Sequence, residues 1–128
     1  MFMKLLHQYL AVAVGGSLGA MARFLVASVA AQLLGTAFPI GTFIINITGS
    51  LFLGWFYTIA TERMILSDTT RLGVAVGFVG AYTTFSTYMF ESDALMRDGA
   101  VWKATANLVG SVVVGLLAVR LGIWLAAR

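Results

Sequence analysis

The chain contains no cysteine, one histidine and one proline among its 128 residues. Without thiols there is no disulfide, no thiol nucleophile and no thiolate metal site, and the single imidazole of His7 cannot build a zinc cluster or a proton relay. Charge is equally scarce. Charged residues make up 10% of the chain, against about 25% in soluble domains. The net charge of +3 comes from scattered single residues rather than a basic run, which argues against a nucleic-acid surface. The sequence also has no G-x-x-x-x-G-K-[ST] phosphate loop, so neither an ATP-driven pump nor an enzyme has a constellation to point to.

What the chain has in abundance is apolar length. Hydrophobic residues make up 60% of it and mean hydropathy is +0.95, the profile of an all-α integral membrane protein. Four helical runs are expected, at about 5–34, 40–60, 72–90 and 104–127. The first is longer than a bilayer needs and is interrupted by Arg23; that arginine and the run's length do not fit a signal peptide. Pro39 suits the start of the second, because its missing N–H is unpaired there anyway. Ser67 or Asp68 suits the cap of the third. Trp124 and Arg128 anchor the fourth at an interface.

Polar and small residues within these runs are placed by spacing. Thr42, Asn46 and Gly49 form one stripe, and a mid-membrane amide such as Asn46 serves either as glue between helices or as a donor to an ion. The pairs Gly15/Gly19, Ser50/Gly54 and Gly73/Gly77 allow close helix approach, and their number suggests a dimer. Lys4, Arg63, Arg71, Arg120 and Arg128 fall on one side of a four-helix topology, with Arg97 and Lys103 on the other. The stretch from Gly77 to Glu91 is the most unusual, because glycines and hydroxyls crowd an apolar run. Gly77, Gly80, Thr83 and Thr84 mark a helix break, tolerated in hydrocarbon only where it faces protein, ion or water. Beyond it Thr84, Thr87 and Glu91 share a face, and Phe85 and Tyr88 share another.

Gly15-x3-Gly19-Ala20-x2-Arg23, Gly41-Thr42-x3-Asn46-x2-Gly49, Gly80-x2-Thr83-Thr84-Phe85-Ser86-Thr87 and Asn107-x2-Gly110-Ser111 together resemble the Fluc/CrcB family of bacterial fluoride channels. The resemblance covers essentially the whole chain. It implies an antiparallel, dual-topology homodimer in the bacterial inner membrane, with a broken third helix, two fluoride pores and a structural sodium ion. Sodium is then expected on the main-chain carbonyls of Gly80 and Thr83. Fluoride is expected along Asn46, Phe85, Tyr88, Thr42, Ser86, Thr87, Ser111 and Glu91, with Arg23 as a vestibule cation. Position 88 departs from the family's usual second phenylalanine, and its hydroxyl is expected at the far ring edge, near the ion. One turn after Ser111, where family members often carry another hydroxyl, this chain has Gly115.

Such residues suit fluoride, a small and strongly hydrated anion whose water must be replaced by several donors. Ring edges add a weak positive field. A small proton-coupled drug or cation antiporter would share four helices and dual topology, but needs a carboxylate deep in the membrane. A membrane scaffold would explain the glycines but not the clustered hydroxyls.

Overall fold

The first apolar run folds as helix α1, Phe2–Leu34, whose 33 residues reach about 50 Å at the α-helical rise, well beyond a hydrocarbon core of about 30 Å. It stops at Gly35, whose φ of 78° takes the backbone into the left-handed region while its N–H donates to the Ala31 carbonyl. Pro39 immediately precedes helix α2, Ile40–Glu62. The computed structural model describes residues 1–63 and 66–128, and every regular element among them is helical.

Helix α3, residues 68–82, opens under the Ser67 side chain, which accepts the Thr70 N–H at 3.2 Å. One α-helical turn, Asp68–Arg71, widens into a π-helical stretch, Leu72–Val79, and a last turn, Gly80–Tyr82, closes it. Thr83 and Thr84 are extended. Helix α4, Phe85–Arg97, follows, and after a turn at Gly99 the chain ends in helix α5, Val101–Ala126.

Three helices, α1, α2 and α5, are long and apolar enough to cross a membrane. Neither α3 nor α4 is. Their 15 and 13 residues reach at most about 22 and 20 Å at the α-helical rise, each short of a hydrocarbon core of about 30 Å.

The sequence placed this third helix at 72–90, whereas the second limb runs on to Arg97. The charges read as a connector are instead a solvated helix end. Asp93 and Arg97 pair one turn apart at 2.8 Å, and the Arg97 guanidinium lies 5.8 Å from the Phe90 ring centroid.

Helix α2 lies along α5, and α1 lies along the π-helical stretch. Both contacts depend on glycine. A methyl group on Gly15 or Gly19 would run into the backbone carbonyls of Gly73 and Phe78, and one on Gly54 or Gly122 into those of Val119 and Leu51. Close backbone approach of this kind is how helices associate where lipid offers no hydrophobic driving force. The small-residue faces are therefore used inside one chain, which corrects the expectation that their number points to a dimer.

Candidate functional site

At the break between α3 and α4 the Thr84 backbone is held by the Asn46 side chain of α2. The Thr84 N–H donates to Asn46 Oδ1 at 2.8 Å, and Asn46 Nδ2 donates to the Thr84 carbonyl at 3.0 Å. A primary amide can meet both backbone groups of an extended residue at once, because it carries an acceptor and a donor side by side. Asn46 is thus first an interhelical clamp. Its second Nδ2 hydrogen meets no protein acceptor among the described residues, and Asn46 lines the adjoining cavity.

Diverting those donors has a consequence upstream. In an uninterrupted α-helix the Thr84 N–H would donate to the Gly80 carbonyl and the Thr87 N–H to that of Thr83. Here the first goes to Asn46 and the second to Thr84 Oγ1, at 3.2 Å. The Gly80 and Thr83 carbonyls are released from the helical ladder. Gly80 is exposed and Thr83 half-buried, so this pair opens at the surface of the chain. Gly49 packs under Thr83 and Tyr82 with no room for a larger residue.

Beside the break lies a cavity of about 310 Å³ whose polar and aromatic lining includes Asn46, Thr83, Thr84, Phe85, Tyr88 and Ser111. Phe85 is 73% exposed and meets the buried Tyr88 edge to face, with ring centroids 6.0 Å apart and planes at 67°. The Tyr88 hydroxyl does not wait for an ion, as the sequence suggested. It donates to the Leu108 carbonyl at 2.6 Å.

A second cavity, of about 300 Å³, brings together Arg23, Thr42, Thr84, Thr87 and Glu91. It shares Ala27, Thr42 and Glu91 with a third, of about 230 Å³, that continues to Gly35 and Asp98. Thr84 lines both the first cavity and the second, so the hydroxyl track is two compartments meeting at the clamped residue. Thr84 Oγ1 donates to Thr87 Oγ1 at 3.0 Å, which leaves the Thr87 hydroxyl hydrogen for the second cavity. Arg23 Nε and Glu91 Oε2 are buried there without a protein partner, and no ion pair joins them among the described residues. Ser86 is exposed and lines none of these three cavities.

A buried network behind the first cavity was less legible. Asn107 and Ser92, each 1% exposed, join α5 to α4 through a 2.9 Å hydrogen bond. Asn107 reads as inward-facing from sequence, but Ser92 lies among the charges of the expected connector. Only its position next to Glu91 in an extended α4 brings it inside.

The family model for "CrcB-like protein, Camphor Resistance (CrcB)" matches residues 10–123. A protein of Solibacter usitatus described as a fluoride-specific ion channel is 41% identical over 94% of this chain and 99% of its own length. Proteins of the same description from Maridesulfovibrio salexigens and Chloroflexus aurantiacus are 45% and 43% identical, over 86% and 94% of this chain and 87% and 95% of theirs. With a clamped helix break, donor-lined cavities and a family match spanning nearly its whole length, the chain belongs to the CrcB family of fluoride channels.

Proposed function

We propose that the chain is a passive, fluoride-selective channel that exports fluoride from the cytoplasm across the bacterial inner membrane, and that it works as an antiparallel dual-topology homodimer with two pores. The observation that carries this reading is the Asn46 clamp, which holds a helix break open beside a cavity lined by neutral donors and ring edges. The second Asn46 N–H and the hydroxyls of Ser111, Thr42 and Thr87 replace water around a small anion. The Phe85 and Tyr88 edges contribute a field too weak to trap it. Arg23 raises the local anion concentration, and Glu91, in the same cavity, keeps the ion from binding too firmly.

α3 and α4 together form the fourth crossing. The dimer is supported by what one chain leaves open: Phe85 stands 73% exposed and Gly80 is exposed at the break. The released Gly80 and Thr83 carbonyls fit a structural sodium ion, a hard cation that takes oxygen ligands, and two copies facing each other supply four. When bound there, sodium would neutralise converging carbonyl dipoles. A proton-coupled antiporter is not favoured by the relatives, which are described as fluoride channels.

The test is efflux from liposomes reconstituted with purified protein, read with fluoride and chloride electrodes. Fluoride should leave rapidly when a potassium ionophore carries the balancing charge, and chloride should not. Equal rates for both anions, or fluoride flux that depends on a proton gradient, would overturn the proposal.

A further inference from the structure

Six serine and threonine hydroxyls among the described residues, those of Ser17, Thr48, Thr58, Thr83, Ser92 and Thr105, fold back onto the carbonyl four residues earlier, at 2.7–2.9 Å. This is the usual resting place of a hydroxyl in an apolar helix. Ser111 is different. Its Oγ donates to the side-chain oxygen of Asn107, at 3.4 Å, and the residue lines the cavity that holds Asn46, Phe85 and Tyr88.

The hydrogen directions around Asn107 are set by its neighbours. Ser92 Oγ donates to the Tyr88 carbonyl at 2.8 Å, so it accepts from Asn107 Nδ2 at 2.9 Å. Asn107 Oδ1 is thereby turned towards Ser111, and as an acceptor it can only receive that hydroxyl's hydrogen. The amide is 1% exposed and anchored at its nitrogen end, so it offers this acceptor in one place. At 3.4 Å the bond is well beyond the 2.7–2.8 Å typical of O–H···O. A strong anionic acceptor entering the cavity can therefore take the hydrogen at little cost.

Resting on the channel reading above, we propose that Asn107 is a positioning residue for permeation. It keeps the Ser111 hydroxyl off its own helix carbonyl and loosely held, so that the hydroxyl is delivered as a donor to fluoride in the cavity and taken back when the ion moves on. Ser92 is the anchor that orients the amide. No covalent or proton-transfer step is involved; a hydroxyl rotates.

The experiment compares fluoride efflux from liposomes for the wild type, Asn107→Leu with Ser92→Ala, Ser111→Ala, and the three changes combined. Removing Ser92 Oγ together with the amide leaves no buried partner of Asn107 unsatisfied. Asn107→Leu/Ser92→Ala should slow turnover by about two- to tenfold, the scale of one neutral hydrogen bond. It should slow it no further in the Ser111→Ala background. Additive losses, or wild-type turnover in the folded Asn107→Leu/Ser92→Ala channel, would overturn the proposal. Where that variant does not fold, Ser111→Ala reads the same claim, because its 3.4 Å bond contributes little to folding. Turnover must fall at unchanged thermal stability, and a Ser111→Ala channel as fast as wild type refutes the role. If the wild type itself passes no fluoride, the channel reading fails rather than this one.

Discussion

Replacing Asn46 by leucine removes the clamp while keeping the side chain's size. Two backbone groups then lose their partners, the Thr84 N–H at 2.8 Å and its carbonyl at 3.0 Å. A buried group left unpaired costs about 1–3 kcal/mol, so the pair sets a ceiling of about 6 kcal/mol. Both bonds are only partly buried, and hydrogen bonds inside membrane proteins average nearer 0.6 kcal/mol with a maximum of about 1.7. The expected loss is therefore about 1–3 kcal/mol. A second effect is specific to this geometry. Once Asn46 Oδ1 is gone, the Thr84 N–H can return to the Gly80 carbonyl, which removes one of the oxygens proposed for sodium. Asn46→Leu should thus unfold earlier than wild type in a denaturant titration, conduct no fluoride, and lose stabilisation by sodium. Asn46→Asp keeps the acceptor for Thr84 N–H but sets a carboxylate oxygen against the Thr84 carbonyl and a negative charge in an anion's path, so it too should be silent. An Asn46→Leu protein as stable as wild type, and still stabilised by sodium, would show that the break is held by something else.

Tyr88→Phe removes a 2.6 Å hydrogen bond to the Leu108 carbonyl and nothing facing the ion, so it should cost about 0.5–1.5 kcal/mol with fluoride turnover nearly unchanged; a several-fold rate change at wild-type stability would return the hydroxyl to the ion path. Gly15→Ala places a methyl against the Gly73 carbonyl and should destabilise α1 packing by about 1–3 kcal/mol, the usual cost of overpacking; an unaltered denaturation midpoint would contradict the packing described. Exchanging sodium for a large organic cation should lower the thermal stability of the purified protein and its fluoride flux together, and identical melting in both media would remove the sodium assignment.

Much of this was legible because hydrocarbon leaves a chain few choices. Backbone groups must be paired internally, so apolar runs become helices, and the cluster of Gly80, Thr83 and Thr84 announces a break whose polar groups need a partner. The spacing of Thr84, Thr87 and Glu91 placed them on one face, and the structure brings all three to one cavity. The family motifs named the residues around an anion path. What periodicity could not supply was which side chain answers the break, since Asn46 is 38 residues from Thr84 and any inward amide would have served the sequence argument equally. Nor could it tell where the Tyr88 hydroxyl goes, because that depends on a carbonyl of α5 lying within reach.

Sequence by itself determined that this is a membrane-embedded helical protein with a polar break in its third apolar run, because composition and period decide what lipid will accept. Tertiary structure decided that the glycine faces are used within the chain, that Thr84 divides the hydroxyl track into two cavities, and that the Gly80 and Thr83 carbonyls lose their helical donors. Each of these depends on a donor or a backbone atom brought in by another helix, and local spacing carries no information about distances between helices.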